Sequence, residues 1–161
     1  MTIIGLIADT HCTSPDGADL PDDAVAALAG SDLIVHLGDL TSIGVLDRLA
    51  TSAGEVIGVR NSRLDPLPGV DARLVDGPVT RIIEGRRIVF LREYPSAVID
   101  DDVDVVAYGV PPGGGGHDYR VALDGTRLVV TPGSPNLPVR HNTVARLQIT
   151  PDTIDVDIVH L

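Results

Sequence analysis

No lysine occurs anywhere in this chain, and all twelve of its basic residues are arginine. Against them stand 23 acidic residues, for a net charge of −11. That balance excludes the basic face needed to neutralise a nucleic-acid backbone, so no nucleic-acid partner is indicated. A solvated acidic exterior accounts for it, including the run Asp100-Asp101-Asp102. Tryptophan is also absent, and there are only one Phe and three Tyr. The core must therefore be assembled from Val, Ile, Leu and Ala. A single cysteine, Cys12, rules out an internal disulfide framework and fits a reducing cytoplasm. Its thiol is either reactive or, as is usual for a lone cysteine, inert. No apolar run reaches the roughly 18 residues of a membrane span. The opening MTIIGLIADT has neither the basic region nor the cleavage-type site of a secretory signal. A cytoplasmic protein without a membrane partner is expected.

What the chain does contain is a series of short apolar runs. At 161 residues it is long enough for one domain, expected to span 1–161, and too short for two. TIIGLIA (2–8), DLIVHL (32–37) and GEVIGV (54–59) are nearly all apolar, as strands buried on both faces must be. Between them, PDDAVAALAG (21–30) opens with Pro and two Asp and closes on Gly, and TSIGVLDRLATS (41–52) follows the second run. Both read as helices, giving β-α-β-α-β with parallel strands and right-handed crossovers. The back half reads as hairpins turning at Glu84-Gly85, Asp124-Gly125 and Pro151-Asp152. The alternation in IDVDIVH leaves one face of the last strand wet. An α/β architecture of two packed sheets with helices outside is expected.

In open α/β sheets, ligands gather beyond the carboxyl ends of the strands. Those ends read Ala8-Asp9-Thr10-His11, then His36-Leu37-Gly38-Asp39, then Val59-Arg60-Asn61. Any one of these residues has an ordinary explanation, since Asp after a strand is often a turn or cap residue. Together, two carboxylates, an imidazole and a carboxamide from adjacent strands suit Mn²⁺, Zn²⁺ or Fe. His36 lies inside its strand and reads as a hydrogen-bonded core residue. No Ser-His-Asp or Cys-His arrangement is readable.

Asp-x-His after the first strand, Gly-Asp after the second and Asn after the third resemble the calcineurin-like metallophosphoesterases. Thr131-Pro132-Gly133-Ser134-Pro135 adds to the likeness, because the small bacterial and archaeal phosphodiesterase branch has an Asn-Pro-Gly-Ser-Pro loop there. That branch shares its fold with the retromer subunit of the same superfamily. The resemblance implies a four-layer αββα sandwich of two mixed sheets flanked by helices. It also implies two divalent cations, about 4 Å apart, bridged by an aspartate and a water. On this pattern Asp9 and His11 hold the first metal, Asp39 bridges, and Asn61 binds the second and touches the phosphate. Asp39 and Asn61 are then the catalytic pair, acting on small phosphodiesters or phosphomonoesters.

The same resemblance exposes a deficit. The family's Gly-His-Thr-His aligns with Gly109-Val110-Pro111-Pro112, whose side chains carry no donor atom. The family's next His-Gly aligns with Arg92-Glu93-Tyr94, and Arg60 stands where the family has the glycine before its Asn. Three accounts follow. In the first the site is rebuilt, with Glu93 or His117 as substitute ligands; His117 follows four glycines, whose ordering costs entropy, and otherwise reads as an exposed loop residue. In the second a single cation remains and hydrolysis is slow. In the third the chain is a non-catalytic binding module for a protein partner or phosphorylated ligand. Arg60 or Arg92 then replaces the lost cationic charge and offers an anion site. Arg140 either touches an anionic ligand or caps its loop, and His141 lies at the rim of the site or in solvent.

Overall fold

The computed structural model describes residues 1–61, 71–94, 99–111, 117–138 and 140–161. The tetraglycine tract at 113–116 and Pro112 lie outside the described residues. The front half runs β1 (Thr2–Ile7), α1 (Asp22–Leu28), β2 (Leu33–His36), α2 (Gly44–Ala50), β3 (Glu55–Arg60) and β4 (Leu74–Asp76). The back half is β5 (Val79–Ile83), β6 (Arg86–Glu93), β7 (Val105–Val110), β8 (Arg120–Asp124), β9 (Arg127–Thr131), β10 (Thr143–Ile149) and β11 (Ile154–His160).

Two mixed sheets result. The first has the order β11-β10-β1-β2-β3-β4, with β1, β2, β3 and β4 parallel and β10 antiparallel to β1. The second has the order β5-β6-β7-β9-β8, parallel in its centre and closed by an antiparallel hairpin at each edge. The three expected hairpins are β5–β6, β8–β9 and β10–β11, each turning where the Gly or Pro signal lies. The short strand β4 has no counterpart in the expectation; three residues give too little pattern to read.

Alternation assigns the faces. Ile4 and Leu6 of β1 and Ile57 and Val59 of β3 meet Ile88 and Phe90 of β6 and Val105 and Ala107 of β7 in a dry layer between the sheets. Each such large side chain contributes about 1.5–3 kcal/mol on burial. Ile7, Ile34 and Val56 point the other way, against Ala24 and Leu28 of α1 and Val45, Leu46 and Leu49 of α2. Asp22 and Asp23 in the first turn of α1 complement its dipole. Both described helices therefore lie on the first sheet. Over the second sheet, Val89, Leu91, Val106, Tyr108 and Val129 are covered among the described residues by Tyr94, Ile99 and Val103, which lie outside any helix. No described helix is long and apolar enough to cross a membrane.

The two sheets close most tightly where strand ends meet. A Cβ on Gly109, at the end of β7, would stand 2.0 Å from the Leu37 carbonyl oxygen. Only glycine permits that approach, and it brings the end of β7 onto the Leu37-Gly38-Asp39 turn.

Candidate metal centre

β1, β2 and β3 are neighbours in one sheet, so Asp9, Asp39 and Asn61 all leave from the same edge of it. The backbone at these exits is unusual. Asp9, His11 and Asp39 have φ of 51°, 44° and 54°, in the left-handed region. Such a conformation costs an L-residue about 1–2 kcal/mol, and short polar side chains tolerate it best. Strain of this kind persists where surroundings over-determine it, as at functional sites. Here the two turns are tied together by the Asp9 N–H, which donates to the Gly38 carbonyl at 3.1 Å.

From the far side, the segment after β9 clamps the first turn. The buried Ser134 hydroxyl donates to the Asp9 carbonyl at 2.8 Å, and Asn136 Nδ2 donates to the Thr10 carbonyl at 2.7 Å. Ser134 Oγ in turn accepts from the Leu137 N–H at 2.8 Å. Beneath the turn, Thr10 Oγ1 and His36 Nε2 lie 3.0 Å apart in full burial. Burial pushes the His36 pKa down to about 3, so the ring is neutral. It is a core residue, as its place in β2 suggests. The neighbouring Cys12 thiol is pushed up to about 11, chiefly by burial, which makes it inert at neutral pH.

These turns converge three side chains. Ligand atoms of Asp9, His11 and Asp39 all lie within 4.8 Å of one another, a spacing that fits one divalent cation. Asp9 is fully buried, and burial with Asp39 alongside lifts its pKa from 3.8 to about 7. Both of its carboxylate oxygens lack a hydrogen-bond donor. Buried polar atoms are rarely left without an aligned hydrogen bond, and acceptor oxygens of this kind fit a cation ligand. His11 Nε2 is 3.8 Å from Asp39 Oδ2, and its side chain is 38% exposed, open to an incoming ligand.

A fourth and a fifth group approach. His117 Nδ1 comes to 3.0 Å from Asp9 Oδ2, although not aligned as a hydrogen bond, and its ring stands edge-on to that of His11 at 6.0 Å. The residue expected either in solvent or at the site is thus beside Asp9. Arg92 enters from the second sheet: Ile88 and Phe90 face the inter-sheet core, and the same parity turns Arg92 inward at the end of β6. Its Nη2 lies 2.5 Å from Asp39 Oδ1, with its side chain only 15% exposed. Gly38 makes room for it, since a Cβ there would lie 2.3 Å from Arg92 Cγ.

The remaining candidates are placed elsewhere. Glu93 has the opposite parity on β6, and its carboxylate stands 3.8 Å from Arg92 Nη1. Arg60 Nε approaches Asp76 on β4 at 3.3 Å. Arg140 is 80% exposed and its guanidinium lies 3.9 Å from Asp118. His141 is exposed and packs edge-on against His160. Asn61 follows β3 directly and is partly buried. Sequence reading missed the bracing by Asn136, for which no motif exists, and the role of Ser134, although its Pro-Gly-Ser-Pro setting was visible.

The family model of the calcineurin-like phosphoesterase superfamily domain matches residues 1–152. The chain belongs to that superfamily. Its members use divalent metals, which accords with the Asp9–His11–Asp39 cluster. A probable metallophosphoesterase from Methanothermobacter thermautotrophicus is 28% identical over 98% of this chain and 91% of its own length. Among solved structures, an archaeal phosphodiesterase superposes with a TM-score of 0.72 at 16% identity, covering 99% of this chain and 100% of the other. Vps29 from Chaetomium thermophilum gives 0.70 at 17% identity, covering 100% and 97%. Vps29 from Entamoeba histolytica, solved with zinc, gives 0.70 at 16% identity and covers 99% of each chain. These likenesses establish the two-sheet fold of this calcineurin-like member.

Proposed function

We propose that this chain, acting as one domain over residues 1–161, is a metal-dependent phosphoesterase with a reduced centre. One divalent cation, Mn²⁺ or Zn²⁺, is held by Asp9, His11, Asp39 and Asn61, with His117 as a fifth side chain beside Asp9. Arg92 supplies the positive charge that a second cation supplies in a two-metal site. The observation carrying this reading is the Arg92–Asp39 contact at 2.5 Å, which takes the oxygen a bridging carboxylate would share with a second ion. The substrate class is small phosphodiesters or phosphomonoesters in the cytoplasm.

When bound, the cation polarises the phosphoryl group and lowers the pKa of water. The chain's own contributions are distinct. Asp9, fully buried with His117 beside it, anchors the charge of the ligand; Asp39 splits its two oxygens between Arg92 and the His11 side. The guanidinium of Arg92, planar and always protonated, keeps a fixed positive charge beside Asp39. Asn61 offers a neutral amide to the phosphoryl group. With Arg92 supplying the charge of a second ion, turnover would be slow.

The test is elemental analysis of protein purified without chelator, together with hydrolysis of a bis-aryl phosphate in added Mn²⁺. One ion per chain and slow hydrolysis abolished by Asp39→Ala are expected. Two ions per chain would overturn the assignment of Arg92. A second reading draws on the same contact: Arg92 neutralises Asp39 without any metal, leaving a binding module for a phosphorylated ligand or a protein partner. No ion and no hydrolysis would favour it.

A further inference from the structure

Among the described residues, β8 is an edge of the second sheet, hydrogen-bonded to β9 alone. Its sequence is Arg120-Val121-Ala122-Leu123-Asp124, and Val121 and Leu123 are 44% and 73% exposed. Both continue the inter-sheet face, opposite Val130 and Leu128 of β9. An edge strand with exposed apolar residues and no proline or central charge is a template for another strand.

The register of that pairing can be derived. The Gly125-Thr126 turn, with Gly125 at φ 64°, closes a two-residue hairpin on the pair Asp124↔Arg127. In such hairpins the closing pair exchanges hydrogen bonds, and bonded pairs alternate along the strand. Arg120, Ala122 and Asp124 therefore bond inward to β9, while Val121 and Leu123 direct their N–H and C=O groups to the open edge. Now set a second β8 antiparallel, centred on Ala122. Val121 meets Leu123 of the second copy, with outward groups on both sides, so each pair exchanges two backbone hydrogen bonds. Arg120 meets Asp124 of the second copy, twice. The pentapeptide is its own complement in charge, in side-chain size and in hydrogen-bond parity.

We propose that the chain self-associates through β8, forming an isologous dimer with one continuous ten-stranded sheet made from two copies of the five-stranded one. The other long edges do not fit this arrangement. β11 centred on Asp157 sets that residue against itself, and β5 centred on Arg81 does the same. β4 has only three residues.

Light scattering after size exclusion, over a wide concentration range, tests the proposal. A mass twice the 16.9 kDa of the chain is expected, with the dimer weakening as salt screens the Arg120–Asp124 pairs. Arg120→Asp places like charges opposite each other and should weaken association by about tenfold or more. The swap Arg120→Asp with Asp124→Arg should restore it, and circular dichroism confirms that each variant is folded. A wild-type monomer throughout, or a dimer indifferent to Arg120→Asp, would overturn the proposal.

Discussion

Arg92 Nη2 lies 2.5 Å from Asp39 Oδ1, so a side chain from the second sheet grips a carboxylate delivered by the first. The contact spans 53 positions of sequence and crosses the gap between the sheets. Three features converge on it: inward parity on β6, the missing Cβ of Gly38, and the left-handed turn at Asp39. Metal-free carboxylates as close as Asp9 and Asp39 repel, and a guanidinium relieves that repulsion.

Replacing Arg92 by histidine tests whether charge or geometry limits the centre. The variant Arg92→His removes the guanidinium from Asp39 and supplies one imidazole in its place. Elemental analysis should rise from one ion to two per chain, with faster bis-aryl phosphate hydrolysis. An unchanged count would mean that the second site needs more than donors.

Asp9 makes metal-free stability depend on pH in a definite direction. Burial, then Asp39, raises its pKa from 3.8 to about 7. A carboxyl raised on folding holds its proton in the native state while the unfolded chain has lost it. Its contribution is therefore most favourable below about pH 4 and declines as pH climbs to about 7. A cation on the ionised carboxylate removes the penalty. The increase in Tm on adding Mn²⁺ should thus grow between pH 5 and 8, as read by thermal melts with and without the ion.

Ser134→Ala removes a buried hydroxyl that braces the Asp9 carbonyl and accepts from Leu137. Losing it leaves buried backbone groups unmatched, at about 1–3 kcal/mol. A fall in Tm of about 2–10 °C should accompany weaker Mn²⁺ binding in titration. Unaltered metal affinity would show that the strained turn holds its shape without the clamp.

The alternation of apolar runs and turn residues made most of the architecture legible. The parallel front half, both helices and all three hairpins follow from local period and punctuation, which are properties of neighbouring residues. Asp9, His11 and Asp39 were legible too, because each ends a strand of one sheet and strand ends share an edge. His117 was not. It stands after the glycine tract, and nothing local fixes where such a chain returns; its approach to Asp9 joins positions 108 residues apart, 117 less 9.

By itself, then, the order of residues determined which segments are strands, which faces they bury and which edge collects the acids. Only tertiary structure decided that a guanidinium meets Asp39 and that an imidazole stands beside Asp9. Secondary structure is set by contacts a few residues long. The choice of Arg92 over Glu93 for Asp39 depends on how two sheets pack face to face, and on a glycine thin enough to let the arginine pass.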